Sequence, residues 1–393
     1  MKNELHGQAH GIVFLQKDAL SRETPVKLRR RISWLMGTLQ RSLFPKLEES
    51  WNAPLTEKEK RLISILELVQ VERFVPKSSD TQWLGRKLRE RESIARSFVA
   101  KSVYGYPFTS SLIEALKTTP SLRKICGFEK VSDITSESTF SRAFGEFADS
   151  GLGDRVHEAL VERSLKTELV GHISRDSTAI EGREKPAKKP PKQNPSPKKR
   201  GRRPKGEQSE PKEETRLERQ VHQSAEQALD ELPVVCDVGT KKNSKGHKVS
   251  WIGYKFHADV NDCGLPVSVA MTSASLHDSQ VAIPLMKISS SKITYCYDLM
   301  DSAYDAGQIC EVSRSLGHVP IIDKNSRGKD IIPMAPHEAA RYKERTAAER
   351  FNSRLKEEFG ANNIMVRGAL KVKAHLMFGV IAIFADQLLK LVT

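Results

Sequence analysis

Apolar side chains recur every three or four positions through the first part of the chain and every second position through much of the rest, which predicts helices followed by a sheet. Thr56-Glu57-Lys58-Glu59 forms a capping box, and Leu62, Ile65, Leu66 and Val69 follow at helical spacing. A second helix is expected over Trp83 to Val103. A third starts at Thr109 and ends before Pro120 or runs briefly past it, with Gly127 as a later stop. Phe140, Phe144 and Phe147 share one face of a further helix and leave Glu137, Ser138, Ser141, Arg142 and Gly145 outward.

From about residue 165 the period changes. Leu169, Val170 and His172–Ile173 lead into Asp176 as a short strand that ends on an acid. Trp251 to Val260 alternates apolar and polar, turns at Asn261–Gly264 and returns over Leu265–Thr272, as an antiparallel pair with one covered face does. Ile293 to Met300 is β-rich and runs into Asp298 and Asp301. A helix carrying Ile309, Val312 and Leu316 follows, stops at Gly317, and gives way to a strand at Val319–Ile322. Between the first strands, Glu213 to Leu232 reads as a short bridging helix, and Asp237 to Gly246 as a basic turn over DNA or a surface loop. The run Leu376–Ala385 is strongly apolar, but Asp386 interrupts it. Crossing a bilayer takes about 20 such residues, so a buried core helix under the sheet, next to the helix of Glu349, is expected and no membrane span.

Charge sharpens this picture. A net charge of +15 over 393 residues points to a polyanionic partner, although a ribosome-bound or membrane-surface protein would share it. The excess is concentrated between Arg183 and Lys205, where almost no apolar side chain occurs. Such a segment cannot bury enough surface to offset its ordering entropy, so 181–212 is expected to be a disordered basic insertion. Within it, Arg200-Gly201-Arg202-Arg203-Pro204 resembles an AT-hook, whose extended Arg-Gly-Arg core lies in a narrow minor groove; the extra arginine departs from that pattern, and a phosphate tether meets the same composition. Five scattered cysteines without a Cys-x-x-Cys pair argue against a disulfide framework or zinc knuckle. The opening residues lack a basic start followed by an apolar run, so a cytoplasmic, nucleoid-associated protein is expected.

The candidate chemistry lies on the helix that follows residue 341. At 3.6 residues per turn, Tyr342, Arg345, Glu349, Asn352 and Lys356 fall in one stripe, while Phe351, Leu355 and Phe359 face a core. This layout keeps an acid flanked by cations. A solvated helix with intrahelical ion pairs would show the same spacing, and only the acids Asp176 and Asp301 upstream favour a site.

The Tyr342, Arg345, Glu349 and Lys356 spacing resembles the Tyr-(2)-Arg-(3)-Glu-(6)-Lys signature of the insertion-sequence DDE transposases. The Gly253-Tyr254-Lys255-x-His257 and Ala274–Ser279 segments also recur in that family, as does a Leu-Arg near a Gly-Phe pair, here Leu122-Arg123 and Gly127-Phe128. The resemblance implies an α/β chain: an all-α DNA-binding domain over 1–165 and an RNase H-like catalytic domain over 166–393 with a mixed sheet and flanking helices. It makes Asp176, Asp301 and Glu349 the catalytic acids that hold two Mg²⁺ or Mn²⁺ ions, with Asp298 a rival to Asp301 and Asp305 a solvent-facing or capping residue. Tyr342, Arg345 and Lys356 would meet DNA beside the site. His257, His277 and Asp278 would either touch substrate or serve the fold. Ser138, Thr139 and Arg142 would read a major groove if their helix belongs to a helix-turn-helix, and an ordinary helical pair is the alternative. The implied reaction is metal-dependent cleavage at the element's terminal inverted repeats and strand transfer into target DNA by a homodimer. A hydrolytic nuclease of the same fold and a transposase-derived DNA-binding regulator are the competing classes.

Overall fold

The computed structural model describes residues 25–76, 90–188, 213–242, 245–325 and 333–392. The first part is helical: α1 (Pro25–Thr38) runs through a wider turn at Leu39–Leu43 into α2 (Phe44–Trp51). There follow α3 (Glu57–Val69), α4 (Arg91–Tyr104), α5 (Thr109–Thr118), α6 (Pro120–Ile125), α7 (Glu137–Asp149) and α8 (Leu152–Leu165). The capping box at Thr56 is formed, with Glu59 bonded back to the Thr56 amide at 2.8 Å. Residues 83–89 of the expected second helix lie outside the described residues, and α4 begins at Arg91. Phe140, Phe144 and Phe147 do share a buried face. They surround Phe98 of α4, and Phe144 and Phe147 meet Phe378 from near the end of the chain.

Six strands form one mixed sheet: β1 (Leu169–Glu181), β2 (Asp237–Lys242), β3 (Lys248–Asn261), β4 (Pro266–Ser273), β5 (Thr294–Met300) and β6 (Val319–Ile322), in the order β2-β3-β1-β5-β6 with β4 paired to β3. The long β3 is antiparallel to β1, β2 and β4, whereas β1, β5 and β6 are parallel. This is an RNase H-like α/β fold. Helices α9 (Arg216–His222), α10 (Ala225–Asp230), α11 (Ser279–Lys292) and α12 (Gly307–Ser315) fill the loops between strands. The single helix expected over 213–232 is two, because Ser224 caps a new start.

The chain closes with α13 (Pro336–Tyr342), a tighter 3₁₀ turn at Lys343–Arg345, α14 (Thr346–Glu357) and α15 (Ala369–Lys390). Side-chain alternation assigns the faces of the sheet. Arg175 points toward Ser289 of α11 through their shared partner Asp259, while Ser174 points toward the 3₁₀ turn before α14 and Asp176 toward α14 itself. Helices therefore cover both faces, which corrects the expectation of one covered face for the β3–β4 pair. Its residues are buried almost without interruption from Tyr254 onward, as strands enclosed on two sides are. At Gly253 a Cβ would stand 2.1 Å from the Ile180 carbonyl oxygen, so only glycine lets β3 close on β1 there.

Two further expectations change. Asp237–Lys242 is the edge strand β2 and not a turn, with Gly239 lying under the Trp251 ring. The apolar C-terminal helix α15, long and apolar enough by composition to cross a membrane, is 83% buried over its most apolar window. It lies beside α14, but most of its surface is covered by α3, α4, α7 and α8 and little by the sheet. Gly379 makes the α14 contact possible, since a Cβ there would approach Leu355 at 2.9 Å and the Phe359 carbonyl at 3.0 Å. Asp386 is tolerated inside this helix because Arg61 of α3 bonds it at 2.6 Å and Arg354 of α14 also donates to it.

Candidate active site

The site grows from the pairing of β1 with β5. Ile173 is opposite Asp298 and Ser174 opposite Leu299, so the same register carried two residues further sets Asp176 beside Asp301, just past the last residue of β5. Both share the α14 face of the sheet, at the carboxyl end of β5. Asp176 thus lies within a longer strand, which runs on to Glu181, and not at the strand end that the sequence suggested.

Their electrostatics are those of crowded acids. Burial pushes the Asp176 carboxyl up to about 6, and the charges of Asp301 and Asp278 add to the rise against the Ser177 amide and Arg345. Asp301 is raised as well, chiefly by burial, although it accepts a hydrogen bond from the Ala303 amide at 2.9 Å. Glu349 stands half-exposed on α14, where Arg345 donates to it at 2.5 Å. The same guanidinium interacts with the charges of Asp176 and Asp301 and lies over the Tyr342 ring at 5.7 Å. Arg345 is therefore the counter-charge shared by the three acids. The tightened turn before α14 helps place it there, and Ser174 anchors that turn by donating to the Glu344 carbonyl at 3.1 Å.

The other predicted residues fall elsewhere. Lys356 sits farther along α14 beside Glu181 and Lys241, where burial and the charge of Lys241 lower its pKa. Arg142 is exposed on α7 with Ser138 and Ser141. Arg200, Arg202 and Arg203 lie outside the described residues, as does most of the basic insertion. Asp298, the rival second acid, is fully buried on the opposite face. It is held there by Ser313 at 2.7 Å, Tyr295 at 3.1 Å and Arg175 at 3.5 Å. His257 is also buried and bonded to Thr272, and burial lowers its pKa to about 4. His277 closes a local turn onto Ser279. Asp305 ties down Lys324 at 3.0 Å.

Three neighbours had no role in the sequence reading. Asn352 is buried and donates its amide to Asp176 at 3.1 Å, and its Oδ1 has no partner among the described groups. Its place in the polar stripe was the only available signal. Lys255 pairs with Asp278 at 2.9 Å. The Tyr304 hydroxyl is buried without a partner among the described groups, within the field of Asp176, Asp278 and Asp301.

Among the described residues no three His, Cys, Asp or Glu side chains form a ready metal cluster. The donors nonetheless suit a hard divalent cation. Two half-buried carboxylates repel each other, and the orphaned Asn352 oxygen next to Asp176 is a further hard acceptor. Glu349, the third acid, is paired with Arg345 on α14.

A mixed sheet of this order, with one acid inside β1 beside another just past the end of β5 and a third on a later helix, is the RNase H-like class of fold. The chain belongs to the transposase DDE domain family, whose model matches residues 172–385, more than half of its length. No curated protein and no solved structure matches it. Membership makes this an insertion-sequence transposase that binds and cleaves DNA with divalent metal.

Proposed function

We propose that the protein frees the 3′ ends of an insertion sequence by cutting at its terminal inverted repeats and then joins those ends to target DNA. The observation that carries this reading is the setting of Asp176 and Asp301 side by side, with raised pKa values, under the Arg345 guanidinium that also binds Glu349. Asp176, Asp301 and Glu349 would hold two Mg²⁺ or Mn²⁺ ions. Bound there, such ions supply activation of the attacking oxygen and stabilisation of the leaving one.

The chain's own residues set the stage for that displacement. Asn352 fixes the Asp176 carboxylate by its 3.1 Å hydrogen bond. Arg345 transfers its donors from Glu349 to an incoming phosphate, which both neutralises the backbone and releases the third acid. Tyr342, packed against Arg345, lines the approach, and Lys356 contacts phosphates farther along α14. Arg142 and the arginines at 200, 202 and 203 hold DNA outside the site. Joining two ends in one event calls for a homodimer on paired ends. The helical part over 1–165 and the catalytic part over 166–393 divide recognition from chemistry.

Strand transfer by the purified protein on labelled terminal-repeat DNA with Mg²⁺ or Mn²⁺ tests this. Joined products are expected, and cleavage without joining would reduce the protein to a nuclease. Glu349→Gln should abolish cleavage and leave end binding nearly intact; retained strand transfer would remove Glu349 from the metal site.

A further inference from the structure

A second basic feature lies away from the acids. Arg183, Met365, Val366, Arg367 and Lys371 line a cleft of about 420 Å³ whose other wall is Ser141 and Phe144 of α7. Three of its lining residues are cations and none is an acid. All three cations are exposed, and among the described residues no carboxylate is paired with them. Nearby acids are committed elsewhere: Glu184 accepts from Tyr254 and the Gly368 amide, and Glu146 is held by Arg91 at 2.7 Å. Lys373, two positions from Lys371, is paired with Asp154.

The cationic wall is also fixed in place. Arg367 donates through Nε to the Arg183 carbonyl at 3.1 Å, and Arg183 Nη1 contacts the Met365 sulfur at 3.4 Å. Each guanidinium keeps outward donors. Like charges gathered on a rigid wall without carboxylates repel one another, a cost that an incoming anion offsets. Across the cleft, Ser141 of α7 is exposed, with Arg142 exposed next to it on the same helix, and hydroxyls and arginine are ordinary phosphate partners. The only aromatic in the lining, Phe144, is buried in the helical core, so no ring is offered for stacking unpaired bases.

We propose that this cleft between α7 and the segment leading into α15 grips the phosphodiester backbone of duplex DNA without reading its sequence. The proposal rests on the reading that the protein acts on DNA, and it names a contact surface separate from the acids. Arg183, Arg367 and Lys371 each meet a phosphate, and both parts of the chain hold one duplex.

The test is binding of the full-length protein to fluorescent duplexes in EDTA, where no cleavage intervenes, over a range of salt. One duplex carries the terminal repeat and another of equal length is unrelated. Arg183→Ala/Arg367→Ala/Lys371→Ala should lose about tenfold or more in affinity for both, with the log affinity against log salt slope shallower by about 3, near 0.9 per lost phosphate contact. The charge-preserving Arg183→Lys/Arg367→Lys/Lys371→Arg should keep the wild-type slope. An unchanged slope in the alanine variant, an equal loss in the charge-preserving one, or a loss confined to the terminal-repeat duplex would overturn the proposal. Wild-type protein that binds with the full slope yet never cleaves the terminal-repeat duplex with Mg²⁺ would remove the proposed function and leave the cleft standing.

Discussion

Arg175 and Asp176 are neighbours on β1, yet their side chains leave the sheet on opposite faces and meet opposite fates. On the α11 face, Arg175 bonds Asp259 through two contacts at 2.7 and 2.6 Å and reaches Asp298 at 3.5 Å, all within a closed interior. Burial pushes the Asp298 carboxyl up, but His318, Arg175 and Ser313 together hold it below its ordinary range. On the α14 face, Asp176 and Asp301 share one guanidinium with Glu349, and burial leaves both carboxyls raised. The sheet thus carries one charge cluster closed among its own partners, where burial still raises Asp259, and another open toward α14 whose acids share a single guanidinium. The closed cluster is the structural one, and the open one is the candidate for chemistry.

Substitutions on the two faces should therefore separate activity from stability. Asp176→Asn is expected to lower cleavage by about 10³-fold, the loss of several kcal/mol of charge stabilisation at 1.36 per decade. Kinetics on terminal-repeat DNA measure it, and near-normal turnover would break the comparison. Arg175→Met should act the other way: it strands Asp259 and Asp298 and costs about 3–5 kcal/mol of stability, visible in thermal denaturation without metal. An unshifted melting temperature would show that the second cluster is not what holds the sheet.

The pH dependence follows from the raised carboxyl. Its neutral form is favoured in the folded protein, so the penalty is absent below the ordinary value of 3.8 and complete above about 6. Asp176→Asn should accordingly stabilise the protein at pH 8 by up to roughly 3 kcal/mol, and the gain should vanish by about pH 4. Cleavage by the wild type should decline as pH falls through about 6, where Asp176 takes up its proton. The smallest effect is expected for Asn352→Ala, which loosens one bond to Asp176 and should raise the Mg²⁺ concentration needed for half-maximal cleavage about tenfold.

The fold was largely legible because its signals are local. The Thr56 capping box, the Phe140–Phe147 face, the Asn261–Gly264 turn and the Ile309–Leu316 helix all stand where the sequence places them. Asp176 and Asp301 were legible as acids after apolar runs, but their neighbourhood was not. Whether Asp298 or Asp301 faces the opening depends on strand register, and a one-residue difference in alternation sends a side chain to the other face. Asn352 and Lys255 find their partners only when elements distant in sequence pack together. The sharing of Arg345 among three acids needs the tightened turn before α14, which a uniform helical period does not reveal.

Asp386 carries one last consequence. Its carboxylate is clamped by Arg61, far upstream, and by Arg354, so the greasy last helix is soluble company only while the earlier helices surround it. A fragment trimmed to the matched region 172–385 would bare that surface and remove both Arg61 and Asp386 itself. Such a truncation should aggregate on expression more readily than the intact chain.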